Sequence, residues 1–519
     1  YYEQSTTNIW SCICEAVKES IQKSGIPRSN IRGFEFDATC SLAVFSKESG
    51  TPVSVSGSEL SNDQNVILWL DPRAVEETNT INATGHPVLK YVGSAMSVEM
   101  EIPKILWLKN NLDPRKFRDC KFYDLMDALT HLATGQETRS YCSAICKQGY
   151  LASGVDSREE GWQLDFLSSI GLQDLAEDNF SGLGGIHGNN GKYLSAGQCV
   201  GPLSERAAGE LGMSPGIAVG SGVIDAYAGW IGRVGANVDL GLGSSADQKG
   251  DVSHRLAVVA GTSTCHLAIS NKELFVPGVW GPYRDFLFLG AYLAEGGQSA
   301  TGELIRYIVE GHPAYSGTGG IHVYDFLNDY LLKEAKRTDA ASVALVGKHF
   351  FFYGDLWGNR SPIADPQMSG AVIGLKSDKS IHDLALHYYG TLEFIALQTR
   401  QIYYERIRRS NLVNLHTQND LLVHLIASIC RMPIVVPEYL HAAVCHGSAM
   451  LAAMAASDAS GTGSKNLWEI ISQMSKPGRL VKPTTDMQEE RLLQTKYDIF
   501  LEMSLKQREY RARINKQVN

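Results

Sequence analysis

Two stretches of the chain place residues where group transfer needs them. In IAVGSGVIDAYAGWIG, residues 217–232, an apolar run reaches Asp225 and passes into Ala- and Gly-rich sequence. That is the pattern of a buried strand handing a carboxylate to the start of a helix. In RLAVVAGTSTCHLAIS, residues 255–270, a second apolar run ends in Gly261-Thr262-Ser263-Thr264, a turn of small residues whose backbone N–H groups and hydroxyls suit a phosphate. Phosphoryl transfer to an alcohol asks for little more: one group takes the hydroxyl proton while donors and a metal hold the phosphate and spread its charge. Each half also has a plainer reading, Asp225 as a helix N-cap and the small-residue turn as an ordinary bend.

Three further groups stand out by type and context. Asp71 and Arg73 follow the apolar run Val66 to Leu70 and lie beside Trp69. Carboxylates accept from vicinal hydroxyls and guanidinium donates to them, so the pair suits a polyol, and the alternative is a strand-end salt bridge. Lys147 sits among small apolar residues in SAICKQGYL, and a buried ammonium must be paired, by the protein or by substrate oxygens. In AEGGQSATGELI the double glycine Gly296-Gly297 reads as the start of a helix where a ligand approaches the backbone, with Glu295 placed to meet substrate or metal. A simple helix N-terminus is the alternative there.

A chain of 519 residues is long for one core, so two domains of about 250 residues are the natural division. The polar, glycine-rich LGLGSSADQKGDVSH places the boundary near residue 250. Apolar residues at 44% and charged residues at 20% are those of a globular protein. A formal charge of -9 without a basic stripe argues against nucleic acid. No run of about 18 apolar residues suits a bilayer. Ten scattered cysteines in apolar context read as reduced thiols of the cytoplasm rather than disulfides or a zinc site.

The elements that must carry these residues follow from periodicity. Ser5 caps a helix with Ile9, Ile13, Val17 and Ile21 on one face, packed on a sheet and stopped by Gly25. Strands are expected at 31–36, 41–45 and 66–70, and helical segments at 87–111 and 122–135. Residues 350–375 hold too many Gly, Pro, Asn and Asp residues for a regular element and read as an ordered loop. Helices are expected at 382–408 and 421–431, a short strand at 433–437, a small-residue helix opened by Gly447, and a final helix capped by Asp486 and Glu489.

The motifs GFEFDATCSL, ILWLDPRAV, SVEMEIPKILWLK, GIAVGSGVIDAYAG, AVVAGTSTCH, FVPGVWGPY, AEGGQSATGELI, GNRSPIADPQMSGAVIGL and ISQMSKPGRLVKP resemble, in this order, the FGGY carbohydrate kinases and within them the eukaryotic D-ribulokinase-like branch. The resemblance runs from Glu3 to Arg511. It implies an α/β fold of two actin-like, ribonuclease-H-like domains, residues 1–250 for the sugar and 251–519 for the nucleotide, with an interdomain cleft. It implies ATP and Mg2+, and phosphorylation of a ketopentose, D-ribulose foremost, in a monomer or homodimer of the cytoplasm. A kinase for xylulose, L-ribulose or a polyol, or a non-catalytic sensor of the same fold, are the other readings.

By the same resemblance Asp225 is the catalytic base and a magnesium ligand. Asp71, Arg73, Lys147 and Glu295 face the sugar. Gly261, Thr262 and Ser263 form a phosphate loop, Gly296 and Gly297 the nucleotide-side helix start, and Asn419 and Gly447 lie on the adenosine side. Two departures stand out. The family opens with a hairpin carrying an Asp-x-Gly-Thr phosphate loop whose Asp helps hold magnesium, and this chain starts after it. A Gly-Gly turn should also precede Gln418-Asn419, where Thr417 stands instead. The expectation is that mobile loops of the polypeptide are left out at the N-terminus, near Thr417 and near residues 316–320.

Overall fold

The computed structural model describes residues 1–56, 63–152, 158–236, 252–319, 322–406, 412–416, 419–439, 442–461 and 465–518. The expected domain boundary near residue 250, Thr417 and Gly320 lie outside these residues. Up to residue 236 the strands are β1 (Glu3–Gln4), β2 (Gly33–Phe34), β3 (Asp37–Ala38), β4 (Leu42–Ser46), β5 (Val66–Ile67), β6 (Cys120–Asp124), β7 (Arg139–Ser140), β8 (Tyr193–Leu194), β9 (Cys199–Pro202), β10 (Ala218–Gly220) and β11 (Val223–Ile224). They form an antiparallel sheet β1-β5-β4-β6, a sheet β2-β10-β9 and the pairs β3-β11 and β7-β8. The third expected strand, 66–70, is therefore shorter than its apolar run.

The apolar run that delivers Asp225 is not one unbroken strand. β10 pairs with β2 through Ala218↔Gly33 and Val219↔Phe34, and β11 pairs with β3 through Val223↔Asp37 and Ile224↔Ala38, both parallel. Between the paired positions Val219 and Val223 the chain holds three residues, against two between their partners Phe34 and Asp37, so the ladder carries a bulge. Gly222 makes room for it, since a Cβ there would lie 2.4 Å from Phe36 O. The break re-aims the chain just before Asp225.

From residue 252 on, the strands are β12 (Arg255–Ala260), β13 (Thr264–Ser270), β14 (Trp280–Arg284), β15 (Tyr292–Gln298), β16 (Phe351–Gly354), β17 (Gly370–Ile373), β18 (Leu412–His416), β19 (Ile434–Val436) and β20 (Arg479–Val481). Seven of them form one mixed sheet in the order β14-β15-β13-β12-β18-β19-β20. The Ile381–Arg406 helix, almost wholly buried through its middle, and the Asp420–Cys430 helix are part of the second core cluster, with the apolar side of the sheet. Residues 350–375, expected as loop, contain the hairpin β16-β17. The Phe-Phe-Tyr run and Ala371-Val372 override the glycines and prolines between them.

The N-terminal helix is Thr6–Ser24, capped by the Ser5 side chain and ended by Gly25 at positive φ. The final helix is Met487–Val518, with Asp486 accepting the Glu489 N–H at 2.7 Å. Gly447 does not open its helix, which starts four residues earlier and spans Ala443–Ser460. It lies where that helix meets the Asp225–Val234 helix, and the two backbones touch. A Cβ on Gly447 would lie 1.9 Å from Ala228 O, and one on Gly232 would lie 2.0 Å from Ala443 O. The same helix rests on β2, where a Cβ on Gly33 would lie 2.0 Å from Ala452 O. Glycine is what permits each approach, and a helix from the second half is thereby locked onto the strands and helix that position Asp225. Among the described residues no helix is long and apolar enough to cross a membrane.

Candidate active site

Asp225 is the first residue of its helix, directly after β11, and is half-buried. Its Oδ1 accepts the Ala226 N–H at 2.7 Å, and the helix N-terminus adds positive potential. Burial raises its pKa above the usual carboxylate value; the Ala226 N–H and the Lys147 ammonium oppose this, while Asp37 adds to it. A carboxylate of raised proton affinity, still reachable from outside, is suited to taking a hydroxyl proton.

Around it stands a group of buried charges drawn from both halves of the chain. Lys147, at the end of the Tyr141–Gln148 helix, is 5% exposed and its Nζ lies 4.6 Å from the Trp280 ring centroid. Burial would lower its pKa, but Cys146, Cys40, Glu99 and Glu295 around it hold it well above the usual lysine value. Glu295, in the middle of β15, accepts from Arg360 Nη2 at 2.9 Å, from Cys265 Sγ at 3.3 Å and from the Tyr227 hydroxyl. Arg360 also stacks on Trp280, 4.1 Å from the centroid, and lies 3.5 Å from Glu99. Burial of Glu99 is outweighed by Arg360, Lys147 and Lys104, so its carboxyl sits below the usual value. Two ammonium or guanidinium groups and two carboxylates thus gather around Trp280, a donor and acceptor set matched to a polyhydroxylated molecule.

The Gly261-Thr262-Ser263 turn joins β12 to β13 and is solvent-facing at Gly261 and Thr262. Its carbonyls are committed to the neighbouring helix: Gly261 O accepts from Gly302, and Thr262 O from Thr301 and Glu303. That fastens the turn to the start of the Gly302–Glu310 helix while its outer face stays open to a phosphate. Gly296 and Gly297 are not at a helix start but in β15, paired with His266 and Cys265. Glu295 lies in that strand too, not before a helix. The room that the double glycine leaves is taken by the chain's own Arg360: a Cβ on Gly297 would lie 2.6 Å from Arg360 Cδ.

Asn419 is the N-cap of the Asp420–Cys430 helix, accepting the Leu422 N–H at 3.2 Å and donating to the Tyr388 hydroxyl at 2.6 Å. Asn328, which donates to it, lines a cavity of about 600 Å³ with Leu332, Leu421 and His424, a volume that holds a nucleoside. Gly447, expected on the adenosine side, lies in the helix contact described above.

Asp71 and Arg73 are brought together with each other rather than with Lys147 and Glu295. Both side chains are fully buried. Arg73 Nε and Nη2 donate to the two Asp71 oxygens at 2.9 and 2.8 Å, and the Tyr2 and Arg73 N–H groups donate to them as well. Arg73 further reaches Glu3 and Val55 O and stacks on Tyr1. Burial would raise the Asp71 pKa, but these bonds hold it down at about 2. In this arrangement the pair is the strand-end salt bridge, its donors and acceptors spent within the protein.

Three residues near the site had no role assigned from the sequence. Arg360 lies in a stretch whose composition reads as loop, although an arginine between Asn359 and Ser361-Pro362 in an ordered loop is itself a signal. Glu99 falls within the helical periodicity of residues 87–111, although an acid flanked by Val98 and Met100 must find a partner. Asp37 ends up beside Asp225 because Val223 pairs with it, which no local pattern reveals, and its Oδ2 accepts the Ser448 hydroxyl at 2.6 Å. Among the described residues, the one trio arranged to grip a metal is His312, Asp383 and His387. Its two imidazoles suit zinc better than magnesium, and His312 Nδ1 already accepts the Ala314 N–H. All ten cysteines are thiols.

Comparison with known proteins fits this geometry. Residues 256–456 match the C-terminal domain of the FGGY family of carbohydrate kinases. The chain is 46% identical over 476 residues to a D-ribulokinase of Saccharomyces cerevisiae, covering 88% of this chain and 67% of that protein. It is 40% identical over 532 residues to the FGGY carbohydrate kinase domain-containing protein of Homo sapiens, covering 99% and 91%. The crystal structure of xylulose kinase from Rhodospirillum rubrum superimposes with a TM-score of 0.72 at 16% identity, over 98% of this chain and 91% of that one. The fold is therefore the two-domain actin-like α/β arrangement that the resemblance implied. The chain belongs to the FGGY family of carbohydrate kinases, alongside its D-ribulokinase-like members.

Proposed function

We propose that this kinase transfers the γ-phosphate of ATP to the terminal hydroxyl of a ketopentose, D-ribulose first, with residues 1–250 carrying the sugar and 251–519 the nucleotide. The observation that carries the reading is Asp225 at a strand-to-helix junction beside Lys147, within one group with Glu99, Glu295 and Arg360. The 46% identity to a D-ribulokinase supports the choice of sugar. Lys147 polarises or anchors a substrate oxygen, Glu295 accepts from a hydroxyl, and Asp225 takes the proton of the attacking hydroxyl as it meets phosphorus in line. The outer face of Gly261-Thr262-Ser263 holds phosphate oxygens, and adenosine lies toward Asn419.

Magnesium fits the Asp225 end of the site, where Asp37 in β3 and Asp225, just past the partner strand β11, offer oxygen donors, the ligand type that ion prefers. Bound there with phosphate oxygens, it would offset the charge of the transferring group. A panel of D-ribulose, D-xylulose, L-ribulose, ribitol and glycerol in a coupled ADP-release assay tests the reading. The highest kcat/KM falls on D-ribulose. A polyol or L-ribulose in first place, or ADP release without regard to sugar, would refute it.

A further inference from the structure

Glu99 stands among the cations of the site with its own carboxylate unbonded. It precedes the Glu101–Asn111 helix, its side chain is 17% exposed, and it faces a cluster with Lys147 and Arg360 on one side and Glu295 beyond. Arg360 divides itself unequally between the two carboxylates: it is 2.9 Å from Glu295 Oε1 but 3.5 Å from Glu99 Oε1. Glu295 already accepts three bonds, from Arg360, Cys265 and Tyr227, which leaves it about one free acceptor site. Among the described residues no hydrogen bond reaches the Glu99 carboxylate, although cations surround it. A charged acceptor left partly exposed and unbonded among three cations leaves a large hydrogen-bonding capacity unspent. Structural ion pairs do not leave it so, as the fully bonded Asp71 in the same half of the chain illustrates.

Resting on the reading of Asp225 as base, we propose that Glu99 is a specificity-determining residue of the sugar site, accepting from the hydroxyl at the end of the ketopentose remote from Asp225. Glu295 and Arg360 then act on the sugar as a preset wall, and Glu99 supplies the acceptor that completes itself only when substrate arrives. A site built to bond a hydroxyl discriminates strongly against an analogue without it, because the protein group is then left unpaired. The chemistry selected is an open-chain ketose with a free hydroxymethyl next to the carbonyl.

The test compares Glu99→Gln with the parent on D-ribulose and on 1-deoxy-D-ribulose, with full kcat and KM for sugar and for ATP. The substitution raises KM for D-ribulose by roughly tenfold or more, as expected for loss of a charged acceptor, leaves KM for ATP within about twofold, and adds no further penalty on the 1-deoxy sugar. Glu99→Asp, which keeps the charge, recovers part of the loss. An equal penalty on both sugars marks Glu99 as structural and overturns the proposal, as does an unchanged KM on both. If Glu99→Gln is too unstable to assay, the same comparison is read on Glu99→Asp, with the same deciding outcomes. Lys147→Met, run in parallel, separates the two readings: if it too leaves sugar KM unchanged, the sugar lies elsewhere and the proposed site itself fails, whereas a response to Lys147→Met alone removes only Glu99.

Discussion

Arg360 occupies the space that any side chain on Gly297 would need, with its Cδ, Nε and Cζ 2.6, 2.7 and 2.9 Å from where that Cβ would stand. The guanidinium reaches Glu295 by lying across the bare backbone of β15, and stacks on Trp280 from that position. The glycine therefore supports the proposed sugar site only through Arg360, whose placement it permits.

Gly297→Ala tests this directly. The added methyl displaces the guanidinium and overpacks the strand, at about 1–3 kcal/mol of stability. It also unsettles Glu295, so KM for sugar rises while KM for ATP changes little. Thermal denaturation and steady-state kinetics read both. A variant with parental stability and parental sugar KM would show that Arg360 has another route to Glu295.

The contact between the Asp225–Val234 and Ala443–Ser460 helices makes a second prediction. Gly447→Ala puts a methyl against Ala228 O, which backbone alone defines and no rotamer can relieve. The helices must separate, lowering stability by about 2 kcal/mol or more. A displacement of Asp225 by even 1 Å lowers kcat about a hundredfold, with sugar KM less affected. Unaltered kcat in a folded Gly447→Ala variant would detach the helix contact from catalysis.

The Asp71–Arg73 pair gives a prediction of the opposite kind. Removing one member of a buried pair costs about 3–5 kcal/mol, so Asp71→Asn lowers stability markedly, yet sugar KM in the folded fraction stays within about twofold because no uniform binding is lost. The folded-state pKa of Asp71 is held at about 2, below the ordinary value near 4. Its contribution is therefore fully present above about pH 4 and disappears as pH falls toward about 2. Acid titration of the parent shows that loss, and Asp71→Asn shows less of it. A large, selective rise in sugar KM would instead return Asp71 to the sugar site.

How far sequence reached depended on the range of the interaction. Asp225 after an apolar run and the Gly261–Ser263 turn were legible because strand, turn and helix start are written within ten residues. The fold came from the order of many motifs. What failed was long-range. Gly296-Gly297 looks like a helix start because glycines precede GELIRYIVEG, but β13 pairs across it from thirty residues away in sequence and draws the segment into the sheet. Gly447 looks like a helix opening because small residues follow it, whereas its smallness answers Ala228 in another helix. Asp71 and Arg73 have sugar-binding chemistry in composition, and only the position of Tyr1, Tyr2 and Glu3 shows those donors and acceptors already taken. The bulge at Gly222 that aims Asp225 depends on a strand 186 positions earlier, Val223 opposite Asp37.

The proposed mechanism stands on the carboxylate of Asp225, and the most direct measurement is single-turnover phosphorylation of D-ribulose by Asp225→Asn, alongside its ATP affinity and melting temperature. The amide keeps the shape and the Ala226 N–H bond but cannot take a proton. Turnover falls by about 10²–10⁴-fold, the range contributed by a positioned general base, while ATP binding and melting stay close to the parent. Turnover within tenfold of the parent, in a folded variant that binds ATP normally, would contradict the assignment of Asp225 as the base.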